Sequence, residues 1–399
     1  MIRSFIKARA YFILGYFMFL SIVQLCAQVS EIPFVLRENG HIHIKVKLNE
    51  FDKPLNFVFD TGATADVLDE KLAKKLGLKP NYKQSVAGGG GSKSYDIVLG
   101  QKLTIAPKVV IEQSNLVLTN LEPFHQLSDY PFDGIFGYSL LRNYVTKIDY
   151  QKEKLLLYEK IEDVDLNKYE KLPFQFGGGI PIPQLEVSIQ LKNGEVFSGS
   201  ILFDSGAGIT LSVNSPFKNK NKLSEKSNKR IISKSQNLGH ESISEQIAIR
   251  SFKIGSFEFN DLTISLSNDK SGVSAYPNYL GILGAKIIKR FSVILDYTQK
   301  RLYLKPNTLY TNPFEFPLSG IRLKKDKGTI LVGSVAGSSP AYKKGLRKGD
   351  KIITIGGVSS SSLSEYYKLL KKEGTTISIK VLSTSEQEKT VQITLQKLL

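Results

Sequence analysis

Residues 57–64 read FVFDTGAT, and residues 201–208 read ILFDSGAG. In each, an apolar strand ends on an aspartate and turns through small residues, with Asp60 and Asp204 144 positions apart (204 − 60). Strands bury apolar side chains and leave charge to water, so an aspartate at the end of a wholly apolar run needs a reason. A single Asp-Thr/Ser-Gly is ordinary turn chemistry. Two in the same setting indicate a repeat. A second block supports it: DGIFGYSLLRNYVTKIDYQKEKLLLY from Asp133 aligns without a gap on LGILGAKIIKRFSVILDYTQKRLYL from Leu280, at an offset of 147 (280 − 133). Gly134, Ile135, Gly137, Asp149, Tyr150, Leu155 and Leu157 meet Gly281, Ile282, Gly284, Asp296, Tyr297, Leu302 and Leu304. The strand IPF at Ile32 answers LPF at Leu172.

The 399 residues are 41% hydrophobic, enough for two or three cores. The formal charge is +17, of which Arg3, Lys7 and Arg9 precede an apolar run from Tyr11 to Ala27. That order is the basic and hydrophobic grammar of a secretory leader, residues 1–27, and predicts export to the periplasm or the exterior. A leader that stays attached would tether the protein to a membrane. The lone cysteine, Cys26, lies inside it, and Leu25 before it is the wrong size for lipidation. The mature chain then has no thiol or disulfide, and its stability rests on packing. The densest basic patch, KNKNKLSEKSNKR at 218–230, lacks interleaved aromatics; it reads as a solvated loop, and no nucleic-acid partner is expected.

Within each half the signals are β. HIHIKVKL, LEVSIQL, SFEFNDLTISL and SVILDY alternate with period two, punctuated by Gly, Asn and Pro. Helical periodicity is confined to pieces such as DVLDEKLAKKLGL and SLLRNY. The reading is mainly β: two homologous barrel lobes, 28–163 and 164–312, related by a pseudo-twofold axis with a cleft between them. On that axis the two aspartates meet. Like charges so close cannot both ionise easily, so the pair shares a proton and titrates as a unit. A water between them can lose a proton to one carboxylate while the other polarises a peptide carbonyl. Thr61 and Ser205 can hydrogen-bond across the axis, and Gly62 and Gly206 let backbone amides approach the carboxylates.

These residues resemble the pepsin and retroviral aspartic protease superfamily: Asp-Thr/Ser-Gly-Ala twice, each with a later hydrophobic-hydrophobic-Gly, here Ile135-Phe136-Gly137 and Ile282-Leu283-Gly284. The resemblance covers residues 30 to 310. It implies a catalytic pair at Asp60 and Asp204, supported by Thr61, Gly62, Ser205 and Gly206, cutting extended polypeptide without metal or cofactor. It also implies a flap, best placed on SVAGGGGSKSY, whose tip Gly88, Gly89, Gly90 and Gly91 carries no tyrosine; Tyr82 and Tyr95 only flank it. Gly208 stands where the first copy has Thr64, a source of asymmetry.

A third unit, 316–399, follows. SSPAYKKGLRKGDKIITIGG resembles the core of a PDZ domain, with Ala341, Gly345, Leu346, Gly349 and Asp350 as its landmarks, and so adds a small α+β domain. That resemblance makes Leu318, Ser319, Gly320 and Ile321 the loop that receives a peptide carboxylate. It places a groove between the strand at Ile321 and a helix, about Ser362 to Lys372, carrying Leu363, Tyr366 and Tyr367. The expected partners are polypeptide substrate and the C-terminal tails of substrate or partner, the latter added as a strand. The alternative is a groove shut or serving as an interdomain surface.

Other chemistries fit less well. FDSGAG resembles the Gly-Asp-Ser-Gly-Gly of chymotrypsin-like enzymes, but Phe203 stands where the oxyanion turn wants glycine and no histidine pairs with Ser205. His41 and His43 alternate on one strand, His125 and His240 are isolated, and no metal-binding spacing occurs. The sequence thus reads as an exported aspartic endopeptidase with a PDZ domain. The alternative is a non-catalytic peptide-binding scaffold that works through the PDZ domain.

Overall fold

The computed structural model describes residues 28–88, 91–237 and 240–399; the predicted leader lies outside them. The architecture is mainly β. In the first half six strands close a barrel, in the order Ile42–Leu48, Leu55–Phe59, Gly134–Phe136, Asp66–Asp69, Val109–Thr119 and Gly91–Ala106. The last returns to the first where Lys47 and Leu48 pair with Thr104 and Leu103. The second half repeats this order with Gln184–Leu191, Val196–Phe203, Gly281–Leu283, Leu211–Val213, Phe257–Ser267 and His240–Ile254. Each barrel also extends a hairpin, Tyr82–Gly88 on Gly91–Ala106 and Ile231–Asn237 on His240–Ile254.

A six-stranded sheet joins the halves, three strands from each: Gln28–Pro33, Lys154–Tyr158, Val145–Asp149, Phe291–Asp296, Arg301–Pro306 and Glu170–Pro173. At its centre Lys147 pairs antiparallel with Ile294, its own counterpart in the repeat (294 − 147 = 147). A pseudo-twofold axis therefore passes through that pair. One continuous apolar core, including Ile44, Phe57, Phe136, Leu155, Ile201, Phe291 and Leu302, runs through both barrels and the shared sheet.

The local sequence explains most elements. IHIKVKL alternates, and its inward residues Ile42, Ile44, Val46 and Leu48 are all fully buried. DVLD, expected to open a helix, is instead a strand paired parallel with Leu116–Thr119; only Glu70–Lys75 is helical, capped by Asp69, which accepts from Leu72 N at 3.0 Å. All four of its residues are buried, so it carries no alternation to read. The basic patch at 218–230 begins in the helix Ser215–Lys220 and is exposed at Lys220, Lys222, Lys229 and Arg230, as a solvated segment would be, but it is anchored at a few points. Lys218 buries its side chain 3.6 Å from Glu245, which also takes Arg230 at 2.9 Å, and Leu223 is fully buried.

The C-terminal unit is a five-stranded sheet, Ile321–Asp326, Thr329–Val335, Lys351–Ile355, Thr376–Leu382 and Glu388–Thr394, with helices Pro340–Lys343 and Leu363–Leu369 and a core of its own. The chain leading to it is fastened by Arg290. That guanidinium donates to the carbonyls of Leu309 at 3.0 Å, Tyr310 at 3.2 Å, Asn312 and Pro313, and lies 3.8 Å over the Phe314 ring.

Candidate active site

Each aspartate sits where an apolar strand runs out beside a parallel neighbour. Phe57, Val58 and Phe59 pair with Gly134, Ile135 and Phe136; Ile201, Leu202 and Phe203 pair with Gly281, Ile282 and Leu283. The next amide continues the ladder: Asp60 N donates to Phe136 O at 2.9 Å and Asp204 N to Leu283 O at 3.0 Å. Past the neighbouring strand the chain threads beneath the aspartate loop, where a side chain on Gly137 would run into Asp60 O, and one on Gly284 into Ile209 O. That is why each hydrophobic pair is followed by glycine.

The turn folds back on each carboxylate. Gly62 N donates to Asp60 Oδ1 at 2.7 Å; Gly206 N and Ala207 N donate to Asp204 Oδ1 at 2.8 and 3.0 Å. Across the axis each carboxyl group lies against the glycine of the other loop, and the two face each other closely enough for each to shift the other's proton affinity. A methyl group on Gly62 would lie 2.6 Å from Asp204 Cγ, and one on Gly206 would overlap the Asp60 carboxylate, so only glycine lets the loops close. Beneath them Thr61 and Ser205 form a reciprocal buried pair. Thr61 N donates to Ser205 Oγ at 3.0 Å, Ser205 N to Thr61 Oγ1 at 2.9 Å, and Thr61 Oγ1 donates onward to Phe203 O at 2.9 Å.

Burial raises both aspartates above the usual carboxylate range, and Asp204 further because the Asp60 charge faces it. The pair as a unit therefore holds one proton into milder acidity than an exposed aspartate would. By surface area both side chains are only half-buried, so they keep a window onto the cleft. Such a site can hold a water between an acid and a base.

Sequence reading passed over one neighbour. Asp66, six residues past Asp60, is buried and accepts from Ser114 Oγ and Ser139 Oγ, each at 2.6 Å; burial raises its pKa. An acidic residue inside the apolar run ADVL was its signal. His41 lies against the second aspartate loop, within 3.5 Å of where a side chain on Gly208 would begin, and burial lowers it to about 4. His43 is buried on the outer face of its strand against the Phe132 ring, its Nδ1 2.9 Å from Asn56 Nδ2, lowered by burial and Arg37 to about 3. Both histidines are neutral packing groups. Among the described residues no cluster could hold a metal ion. Thr64 is exposed, whereas the space beside Gly208 is taken by Asn39 and His41.

The flap falls on the first hairpin, where Gly88 pairs with Gly91 at the end of the ladder; Gly89 and Gly90 lie outside the described residues. Tyr95 is buried at the hairpin base, and Tyr82 is exposed. The second hairpin, at 231–246, was not expected from sequence. In the C-terminal unit Leu318, Ser319 and Ile321 are buried, Gly320 turns at φ +75°, Leu363 belongs to the core, and the Tyr367 hydroxyl reaches the backbone of Leu323.

Residues 44–140 match the family model described as aspartyl protease, and residues 317–395 match the PDZ domain. No curated protein matches the chain. The molecule thus carries an aspartyl-protease domain whose two barrels fit the bilobed, pepsin- and retropepsin-like plan, followed by a PDZ domain.

Proposed function

We propose that the protein is an exported aspartic endopeptidase acting on extended polypeptides. The observation that carries this reading is the pair of carboxyl groups facing each other across the axis, each held by backbone amides and braced from below by Thr61 and Ser205. In the resting pair one carboxyl is ionised and its partner carries the shared proton. The ionised member takes a proton from the bound water as its oxygen bonds to the peptide carbon, and the other gives its proton to the carbonyl oxygen. The tetrahedral diol then collapses. One hydroxyl proton returns to a carboxylate, the amide nitrogen receives a proton, and the C–N bond breaks. The two hairpins rise from the barrels as candidates to close over an extended chain, whose backbone they could pair by strand addition.

The PDZ domain is proposed to dock C-terminal tails of substrate or partner. Export rests on the leader grammar, and amino-terminal sequencing of the protein from its own cells reads whether cleavage follows Ala27. The decisive experiment digests an unbiased peptide library between about pH 4 and 7, the range in which such a dyad holds one proton, with wild type, Asp60→Asn and Asp204→Asn. Wild-type cleavage abolished by either substitution is the expected result. A wild type that cuts nothing in that range leaves the peptide-binding scaffold as the better reading.

A further inference from the structure

Strand Ile321–Asp326 is the outer strand of the PDZ sheet, paired only with Thr329–Val335, so its other edge is where an added peptide would lie. That edge is already occupied. Three alternate amides are met: Ile321 N donates to Ser319 Oγ at 3.1 Å, Leu323 N to the Tyr367 hydroxyl at 2.8 Å, and Lys325 N to Gln126 O at 2.7 Å. The Tyr367 hydroxyl also donates to Leu323 O at 3.4 Å, so it serves both polar groups that a peptide unit of an added strand would serve. Gln126 belongs to the first barrel, not to the PDZ domain.

Asp129, three residues on, completes the contact. Its Oδ2 accepts from Ser362 Oγ at 2.9 Å and Ser364 N at 2.8 Å; its Oδ1 accepts from Leu363 N at 3.0 Å and lies 3.4 Å from Lys325 Nζ. A carboxylate from the protease thus covers the start of the helix that forms the other wall of the groove. Burial alone would raise its pKa, but the two amides, the Ser362 hydroxyl and Lys325 together hold it below the usual range. The carboxylate-receiving end differs: the amides of Leu318, Ser319 and Gly320 donate to none of the described residues.

We propose that the first-barrel segment Leu121–Phe132 is a built-in occupant of the PDZ groove, displaced by a polypeptide C-terminus with a free carboxylate and an acidic residue a few positions upstream. The carboxylate suits the amides of 318–320, which have no acceptor among the described residues. The upstream acid replaces Asp129 beside Lys325, on a strand that also carries Arg322 and Lys324. Displacement reaches the cleft by a short route. Leu121 and Phe132, which bracket the segment, pack with Val58 of the Asp60 strand and with Tyr95 and Ile97 at the base of the first hairpin. That last link to catalysis rests on the dyad being the reacting centre; occupancy of the groove does not.

The test uses the full chain carrying Asp60→Asn, so that no probe is cut and a failure of the protease reading leaves the measurement intact. The probes are fluorescein-labelled octapeptides ending in Leu or Val, with Asp or Glu four to six places from the end, and their C-terminally amidated twins, read by anisotropy. Asp129→Ala should tighten binding of the free-carboxylate probes by about tenfold or more, the scale of a few charge-assisted hydrogen bonds lost by the competing segment. Tyr367→Phe should tighten it by less, and the amidated twins should not bind. Ser362 caps the helix through Glu365 N, so the helix keeps a cap in the Asp129 variant. Hydrogen exchange on the chain without Asp129→Ala gives an independent reading: saturating probe should speed exchange across 121–132. Probe affinity unchanged by both substitutions, or no binding by any of the proteins, overturns the proposal, as does probe that binds while exchange at 121–132 stays the same.

Discussion

Six residues past the first aspartate stands Asp66, buried beneath the hydroxyls of Ser114 and Ser139; six past the second stands Thr210, whose hydroxyl donates to Thr263 O. The first barrel buries His43 and brings His41 against the second aspartate loop, while the equivalent strand of the second barrel, QLEVSIQL, has no histidine. Yet the amides around the carboxylates, the Thr61–Ser205 exchange and the glycines at 137 and 284 recur almost atom for atom. The halves agree where backbone meets the dyad and differ one layer out, in what titrates. Equivalent substitutions at the dyad should therefore behave alike, and those behind it should not.

The largest effect tests the likeness. Asp60→Asn and Asp204→Asn should each lower kcat/KM by about a thousandfold or more, since each leaves one of two proton-transfer roles unfilled. A variant that keeps a tenth of the activity would assign both roles to the other carboxyl. Both proteins should be at least as thermostable as wild type at pH 7, because each loses a buried charge whose folded-state pKa is raised.

Acid comes next and should act on one barrel. Burial lowers His41 to about 4 and His43 to about 3, below the ordinary imidazole value of about 6.5, so the unfolded chain binds more protons under that value. Stability is lost as pH falls from about 6.5 toward 4, by about 2 kcal/mol for each histidine at pH 5. The dyad works in the opposite direction, so urea titrations belong in an Asp204→Asn background. Replacing His43 with Gln there should flatten the pH dependence between 7 and 5; an unchanged slope would remove the histidines as its cause.

Smaller effects follow. Thr61→Val and Ser205→Ala each strand a buried amide and should cost about 1–3 kcal/mol apiece, nearly equally, in chemical denaturation. Asp66→Leu should cost about 2–3 kcal/mol by leaving the buried Ser114 hydroxyl and the half-buried Ser139 hydroxyl without an acceptor, against about 1 kcal/mol for Thr210→Val. Equal costs at those two positions would mean that the barrels are alike one layer out as well.

The duplication was legible because an active centre on an axis must be written twice: the glycines and aspartates that permit close approach appear at matching offsets. The PDZ fold was legible in its turn residues. Asp66–Asp69 was mistaken for helix because a strand buried on both faces leaves no period to follow. The hairpin at 231–246 was missed for the opposite reason, since IISKSQ and HESISE carry too few apolar residues to mark a face. The grip of Gln126 and Asp129 on the PDZ domain had no signature at all. One partner is a main-chain carbonyl, and the other is a single aspartate some 230 residues from the amides it meets.

Arg290 gives the PDZ domain a short leash. With the carbonyls of 309–313 and the Phe314 ring held against the second barrel, a domain that let go of Asp129 would still stand beside it. Tethering of this kind sets a local concentration on the order of millimolar. Only an abundant or tight-binding tail could then win, and Arg290→Ala, by lengthening the leash, should lower the threshold at which such a tail prevails.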